Sequence, residues 1–273
     1  MSLALTNRLE ERAHMLARAR AFFAEREVLE VDTPMLSRTA PIDAHIDCVE
    51  VKCIGKPAYL HTSPEYGMKR LLCEGSGDIY QLAHVFRDNE WGEKHTVEFT
   101  MAEWYRLGFS LQQMIEETFR FIQLFVEVDT FEVLSYHQVM CGHDEESFAL
   151  NIEPTLGQGK VTFMTDYPPE KAMLAQVNAQ GVAERFEVFY QGIELANGYH
   201  ELGNALEQRR RLQEANRERL EFGKSRYPLD TLFLEALEKG LPDCCGVAVG
   251  FDRLMMLRYN AGKIDNILPF RSL

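Results

Sequence analysis

The chain has 273 residues, 46% of them apolar and 26% charged, which suits one large domain or two small ones with a sizeable core. Its net charge is −13, and the basic cluster Arg209, Arg210 and Arg211 is soon followed by acids, which argues against extensive nucleic-acid contact. No apolar run approaches the roughly 18–20 residues that span a bilayer, and no basic-then-apolar leader opens the chain, so a cytoplasmic protein without membrane association is expected.

In chain order, Leu9, Ala13, Leu16, Ala19 and Phe23 recur at helical spacing and predict a helix over 8–25, with Asn7 and Glu10 as a capping box. A short strand over 28–32 stops at Thr33-Pro34, since proline cannot donate to a central ladder. Residues 57–63 read as a strand and 64–73 as a helix opening near Glu65. The stretch 80–106 reads as two antiparallel strands around a charged loop, and 110–127 as an apolar helix. Residues 141–160 lack periodicity and read as a surface excursion. Arg185–Tyr190 is a strand, Gln191-Gly192 a two-residue hairpin loop, 204–222 a long polar helix, EALEKG a short one, and 245–249 a strand entering a helix over 252–259. Without a regular β-α-β rhythm, the order predicts an α+β fold: one domain with an antiparallel sheet flanked by helices.

Three stretches carry chemistry. In 80–106, Phe99, Met101, Glu103 and Tyr105 share one strand face. An aromatic ring, a carboxylate and a phenol beside Arg87 make a poor apolar core and a good pocket for an adenine ring and a cationic ligand. In RFEVFYQGIELANGYHEL, the two-residue loop puts Phe189 opposite Glu194, with Glu187 on the same face as Glu194. Two unpaired carboxylates that close repel, so either both face water or a Mg²⁺ ion on substrate phosphates relieves them. Strict alternation puts Asn197 and Glu201 on the other face, and Gly198 is the expected place for a bulge or strand end that re-aims them. In GVAVGFDRLMML, Gly250 permits close backbone approach and Arg253 lies in the first turn of a helix, a combination suited to polyphosphate. His61 and His84 read as packed or hydrogen-bonded, and the role of His200 is open. Cys48, Cys53, Cys73, Cys141, Cys244 and Cys245 show no C-x-x-C spacing and read as unlinked thiols, Cys244 and Cys245 as small buried residues.

Taken together, residues 8–36, the Arg87 hairpin and the Gly250–Arg253 segment resemble the three signature motifs of class II aminoacyl-tRNA synthetase catalytic domains. SPEYGMKRLL, EFTMAEWY and IELANGYHEL resemble the lysyl branch of that class. The chain is most similar to its stand-alone paralogues that attach (R)-β-lysine to elongation factor P. The likeness lies in EWYR, in PDCCGVAVG with Ala248 where lysyl-tRNA synthetases usually have Gly, and in the lack of room for an N-terminal anticodon-binding OB domain before the first motif. The resemblance implies a homodimer and a two-step reaction: lysine or (R)-β-lysine is activated with ATP as an aminoacyl-adenylate, then passed to a lysine side chain of elongation factor P. A minimal lysyl-tRNA synthetase and a catalytically silent regulatory protein are the alternatives.

It also implies roles. Arg87 bridges the substrate carboxylate and the α-phosphate. Phe99 stacks on adenine, His95 and Arg253 approach the triphosphate, and Asp88, Asn89, Thr96, Leu195 and Gly250 complete the ATP site. Glu187 and Glu194 hold Mg²⁺. Glu103, Tyr105 and Glu201 receive the side-chain ammonium, Glu65 the other amine and Asn197 the carboxylate, with Ser63, Pro64 and Ala248 beside them. The usual F-R-x-E here reads Phe86-Arg87-Asp88-Asn89, so either Asn89 replaces the glutamate through its amide or Glu90 does so through a shifted loop. Thr96-Val97 replaces the usual Asn-Pro, and the region before Glu153 reads as shorter than in related ligases.

Overall fold

A computed structural model describes residues 5–270. In chain order its elements are α1 (Leu5–Ala24), β1 (Leu29–Glu30), β2 (Leu36–Ser37), β3 (Glu50–Cys53), β4 (Lys56–Leu60), α2 (Glu65–Cys73), β5 (Ile79–Phe86), β6 (Glu98–Leu107) and α3 (Leu111–Ile122). After them come β7 (Phe131–Ser135), α4 (Tyr136–Met140), α5 (Glu145–Ser147), β8 (Val161–Thr165), β9 (Arg185–Tyr190), β10 (Ile193–His200), α6 (Ala205–Glu221), α7 (Thr231–Lys239), β11 (Cys244–Gly250) and α8 (Phe251–Arg258).

Eight strands form one sheet in the order β1-β5-β6-β11-β10-β9-β8-β7, and β2-β4-β3 form a small second sheet. The expected antiparallel sheet holds from β5 to β8, but β1 pairs parallel to β5 and β7 parallel to β8. Parallel neighbours need a long crossover, and the stretches 31–78 and 136–160 supply one at each edge. The other correction is at the N-terminus. Helix α1 already runs at Leu5, so Asn7 lies inside it and the expected capping box with Glu10 does not form.

Period-two alternation divides the sheet between a core and a site. Ala102 and Trp104 of β6, Val247 and Val249 of β11 and Phe186 and Val188 of β9 point to one face. There they pack against Met15, Ala19 and Phe23 of α1, Met114 and Phe121 of α3 and Phe251 and Met255 of α8. The opposite face of the same strands floors a cavity beside a second core of Tyr66, Leu212, Phe233 and Leu234, drawn from α2, α6 and α7. One buried carboxylate ties the helix layer together. Asp252 of α8 pairs with Arg12 of α1 and accepts the Thr100 N–H of β6 at 2.7 Å. The six cysteines are unpaired, as expected, and Cys244 and Cys245 are buried. Among the described residues no helix is long and apolar enough to cross a membrane.

Candidate active site

The cavity is about 1100 Å³, and its floor is two rows of side chains running across the sheet. Cross-strand register places Gln81, Glu103, Ala248, Asn197, Glu187 and Met164 side by side in one row. Tyr105, Gly246, Tyr199 and Arg185 form the next. Asn197 and Glu187 share this face because the β9–β10 ladder slips between Glu194 and Ala196, leaving Leu195 as the extra residue. The bulge is therefore at Leu195 and not at Gly198, where it was expected. Gly198 has another function: a Cβ there would strike the Phe186 ring. The hairpin loop is as read, with Gln191 and Gly192 both at positive φ and Phe189 opposite Glu194.

At one end of the cavity, acids crowd together. Ser63 Oγ accepts the Glu65 N–H at 3.0 Å and donates to Glu103 Oε2 at 2.6 Å, while the Tyr105 hydroxyl donates to Glu103 Oε1 at 2.7 Å. Lys69, one turn along α2 from Glu65, places its Nζ 2.5 Å from Glu65 Oε1 and 2.6 Å from Glu201 Oε2. Its side chain is wholly buried. The other Glu201 oxygen lies above Gly246, where a Cβ would run into it and into the Tyr105 ring. Burial, with Glu65 nearby, pushes the Glu103 carboxyl up to about 8. Burial likewise lifts Glu201 to about 7 against the pull of Lys69. Burial also works against the Lys69 ammonium, but its two carboxylates more than offset this and hold it above its ordinary value. Three carboxylates around one ammonium leave an excess of two negative charges when all are ionised.

The other end is basic and aromatic. The Arg87 guanidinium sits 5.2 Å from the Phe99 ring centre and 3.7 Å from Glu90, and its buried Nε has no hydrogen-bond partner among the described residues. Arg253 donates to the Glu194 carbonyl at 2.7 Å and to His95 Nε2 at 2.6 Å. Burial and the adjacent Arg253 lower the His95 pKa, so His95 is a neutral acceptor. Thr96, Leu195 and Gly250 also line the cavity. Asp88, Asn89 and Pro64 are not among its lining residues, whereas Glu90 is. The backbone of Asp88 is instead bridged to Asp47, and Asn89 takes a positive φ in the turn beyond.

Between the two ends, Arg185 forms an ion pair with Glu187, donates through Nε to Asn197 Oδ1 at 3.3 Å and reaches the Lys171 carbonyl at 2.8 Å. The Asn197 Nδ2 is thereby turned toward the Tyr199 hydroxyl, 2.9 Å away. Glu187 and Glu194 were expected as unpaired carboxylates. Each has an arginine instead, Arg185 for Glu187 and Arg253, at 3.6 Å, for Glu194. Some strain between acids persists: burial raises the Glu187 pKa with Glu194 contributing, and Glu153 is raised in the same way. Among the described residues no group of three or more His, Cys, Asp or Glu side chains could hold a metal ion unaided. Two carboxylates that still repel each other do fit Mg²⁺ if phosphate oxygens complete its shell, its usual mode of binding.

Beyond the site, His61 Nε2 donates to the His84 carbonyl, 2.8 Å away, and His84 pairs with Glu98. His200 is held between Glu184 and Asp243, the latter at 2.7 Å, on the side of β10 away from Glu201. Lys69, Arg185 and the Arg12–Asp252 pair were not singled out from the sequence. Only the Glu65–Lys69 spacing of four residues in a helix was a readable signal.

The family model for class II tRNA synthetases (D, K and N) matches residues 1–273. An elongation factor P–(R)-β-lysine ligase of Vibrio cholerae is 39% identical over 313 residues, covering 99% of this chain and 97% of that protein. Ligases of the same description from Edwardsiella ictaluri and Vibrio vulnificus are 39% and 40% identical, each covering 96% of this chain and 94% of their own.

Proposed function

The chain belongs to the class II tRNA synthetase family and, within it, to the elongation factor P–(R)-β-lysine ligases, and on that footing we propose that it uses ATP to activate lysine or (R)-β-lysine and transfers the acyl group to a lysine side chain of elongation factor P. The observation that carries this reading is the polarity of the cavity. Glu65, Glu103 and Glu201 crowd one end around a single ammonium, and Arg87 and Arg253 occupy the other. A diamine acid is the complement of that arrangement: two cations for the acidic end, and a carboxylate for the basic end.

The reaction then needs little from the protein beyond positioning and charge. Glu103 and Glu201 take the side-chain ammonium and Glu65 takes the second amine, with Ser63 and Tyr105 fixing Glu103. Asn197, its amide set by Arg185, meets the substrate carboxylate. Arg87 has a buried donor without a partner among the described residues, and spans that carboxylate and the α-phosphate as the carboxylate oxygen attacks phosphorus and the bond to the departing pyrophosphate breaks; the acceptor amine then displaces AMP from the adenylate. Phe99 stacks on adenine, and His95, Thr96, Gly250 and Arg253 receive the phosphates. Glu90 lines the cavity and takes the part that the usual fourth residue of the motif would play; Asp88 and Asn89 hold the turn that brings it there. Glu187 and Glu194 would hold Mg²⁺, which supplies charge neutralisation on the phosphates when bound.

Ala248 stands in the floor row between Glu103 and Asn197, where one methyl alters the room beneath the substrate. A change of that size is worth about 1–3 kcal/mol between similar substrates, which suits a choice between lysine isomers. A homodimer through residues 8–36 is part of the same proposal, supported by the exposed Leu29, Met35 and Leu36; sedimentation analysis checks it. ATP–pyrophosphate exchange tests the core of the reading. Exchange should depend on lysine or β-lysine and not on norleucine, which has the shape without the second charge. Exchange with norleucine as efficient as with lysine would sink it.

A further inference from the structure

We propose, on the reading just given, that Lys69 is a positioning residue for the amine end of the cavity: it takes one oxygen of Glu65 and one of Glu201 and aims their remaining oxygens at the substrate's two ammonium groups. Glu65 and Glu201 line the cavity, but Lys69 does not; it lies behind them with its side chain 0% exposed. A buried ammonium is tolerated only when well paired, and here one cation serves two acids from different places in the fold, Glu65 on α2 and Glu201 just past the end of β10. Its own backbone is fixed. Met68 and Leu72 on either side pack with Ile79, Tyr105 and Cys244 in a small core under the floor.

The stoichiometry sets Lys69 apart from an ordinary structural ion pair. A second lysine here would halve the excess charge that a diamine needs; none would leave three adjoining carboxylates, which take up protons rather than ligand. One lysine pairs with both Glu65 and Glu201 and sets their spacing, and Ser63 ties Glu103 to the Glu65 backbone. The oxygen of Glu201 left free lies over Gly246, the one place in its row where no side chain covers the floor.

The test is ATP–pyrophosphate exchange by the full chain and its Lys69→Met variant, with L-lysine and ATP varied separately between pH 6 and pH 9. Lysine-dependent exchange by the unaltered chain upholds the underlying reading independently of Lys69. Lys69→Met should raise the lysine KM at least tenfold and leave the ATP KM within threefold. It should also move the inflection of lysine KM against pH upward, because Lys69 holds down the pKa of both Glu103 and Glu201. Parallel rises in both KM values with an unmoved inflection would overturn the proposal and mark Lys69 as structural only. Should Lys69→Met fail to fold, Lys69→Arg decides. A guanidinium keeps the charge but not the point geometry, so the inflection should stay while the lysine KM rises several-fold. An unchanged lysine KM in Lys69→Arg would equally overturn the proposal.

Discussion

Asn197 lies directly opposite Glu187 across β9 and β10, and this pairing exists because Leu195 is extruded from the ladder. Without the bulge, every residue after Leu195 would turn to the helix side, taking Asn197, Tyr199 and Glu201 out of the cavity. The acidic end is therefore set by one backbone irregularity as much as by its glutamates.

Glu201→Gln should raise the lysine KM at least thirtyfold with little change in the ATP KM. Loss of a buried, charge-bearing hydrogen-bond partner costs about 2 kcal/mol or more. Steady-state kinetics with each substrate varied in turn checks this, and equal effects on both substrates would reject the assignment of Glu201 to the ammonium.

Gly246→Ala should act on the same end by sterics alone. The new methyl would run into the Glu201 carboxylate and the Tyr105 ring, and overpacking of this kind costs about 1–3 kcal/mol. The lysine KM should rise and the melting temperature fall, while adenine binding, read by fluorescence titration with an ATP analogue, stays near normal. Normal lysine kinetics would mean that Glu201 is not seated over Gly246.

Binding should respond to pH with a definite sign. Glu103 and Glu201 have folded pKa values of about 8 and about 7, above the ordinary 4.5. Between these limits the folded chain retains protons that the unfolded chain has lost, so these groups' contribution to stability falls as pH rises through that window. A dicationic ligand favours the ionised carboxylates. Lysine KM should therefore fall from pH 6 to pH 8.5, and added lysine should raise the melting temperature more at pH 8 than at pH 6. A flat or opposite trend would contradict the raised pKa values.

Asp252→Ala should destabilise the whole domain by about 3–5 kcal/mol, the usual result of leaving one partner of a buried ion pair alone. Arg12, Thr100 and Asp252 join α1, β6 and α8, so the loss should appear as a lower denaturant midpoint in a single transition. A change below about 1 kcal/mol would show that the three-way tie is not important to stability.

Much of this was legible in the residues themselves. The hairpin at Gln191-Gly192 and the Phe189–Glu194 pairing follow from a turn that needs two positive-φ positions. Phe99, Met101, Glu103 and Tyr105 line the cavity together because strand alternation leaves no other choice. The bulge was misplaced because extrusion of Leu195 depends on which partner strand fills the space. The Phe186 ring closes the gap at Gly198, and no local propensity encodes that contact. Lys69 reads as a solvated helix residue until Glu201 arrives from the end of β10, more than a hundred residues away. The parallel edge strands escaped notice for a related reason: two residues at 29–30 and five at 131–135 carry no periodic mark of direction.

On the proposed reading, Arg87→Ala should abolish lysine-dependent ATP–pyrophosphate exchange, since Arg87 lines the cavity and its buried Nε has no partner among the described residues. Exchange within tenfold of normal would remove Arg87 from the chemistry.

The most direct measurement is the intact mass of elongation factor P after incubation with this protein, ATP, Mg²⁺ and (R)-β-lysine, run beside a tRNA-acylation assay. The account predicts that elongation factor P gains one lysyl residue while tRNA stays uncharged. Unmodified elongation factor P together with acylated tRNA would contradict it.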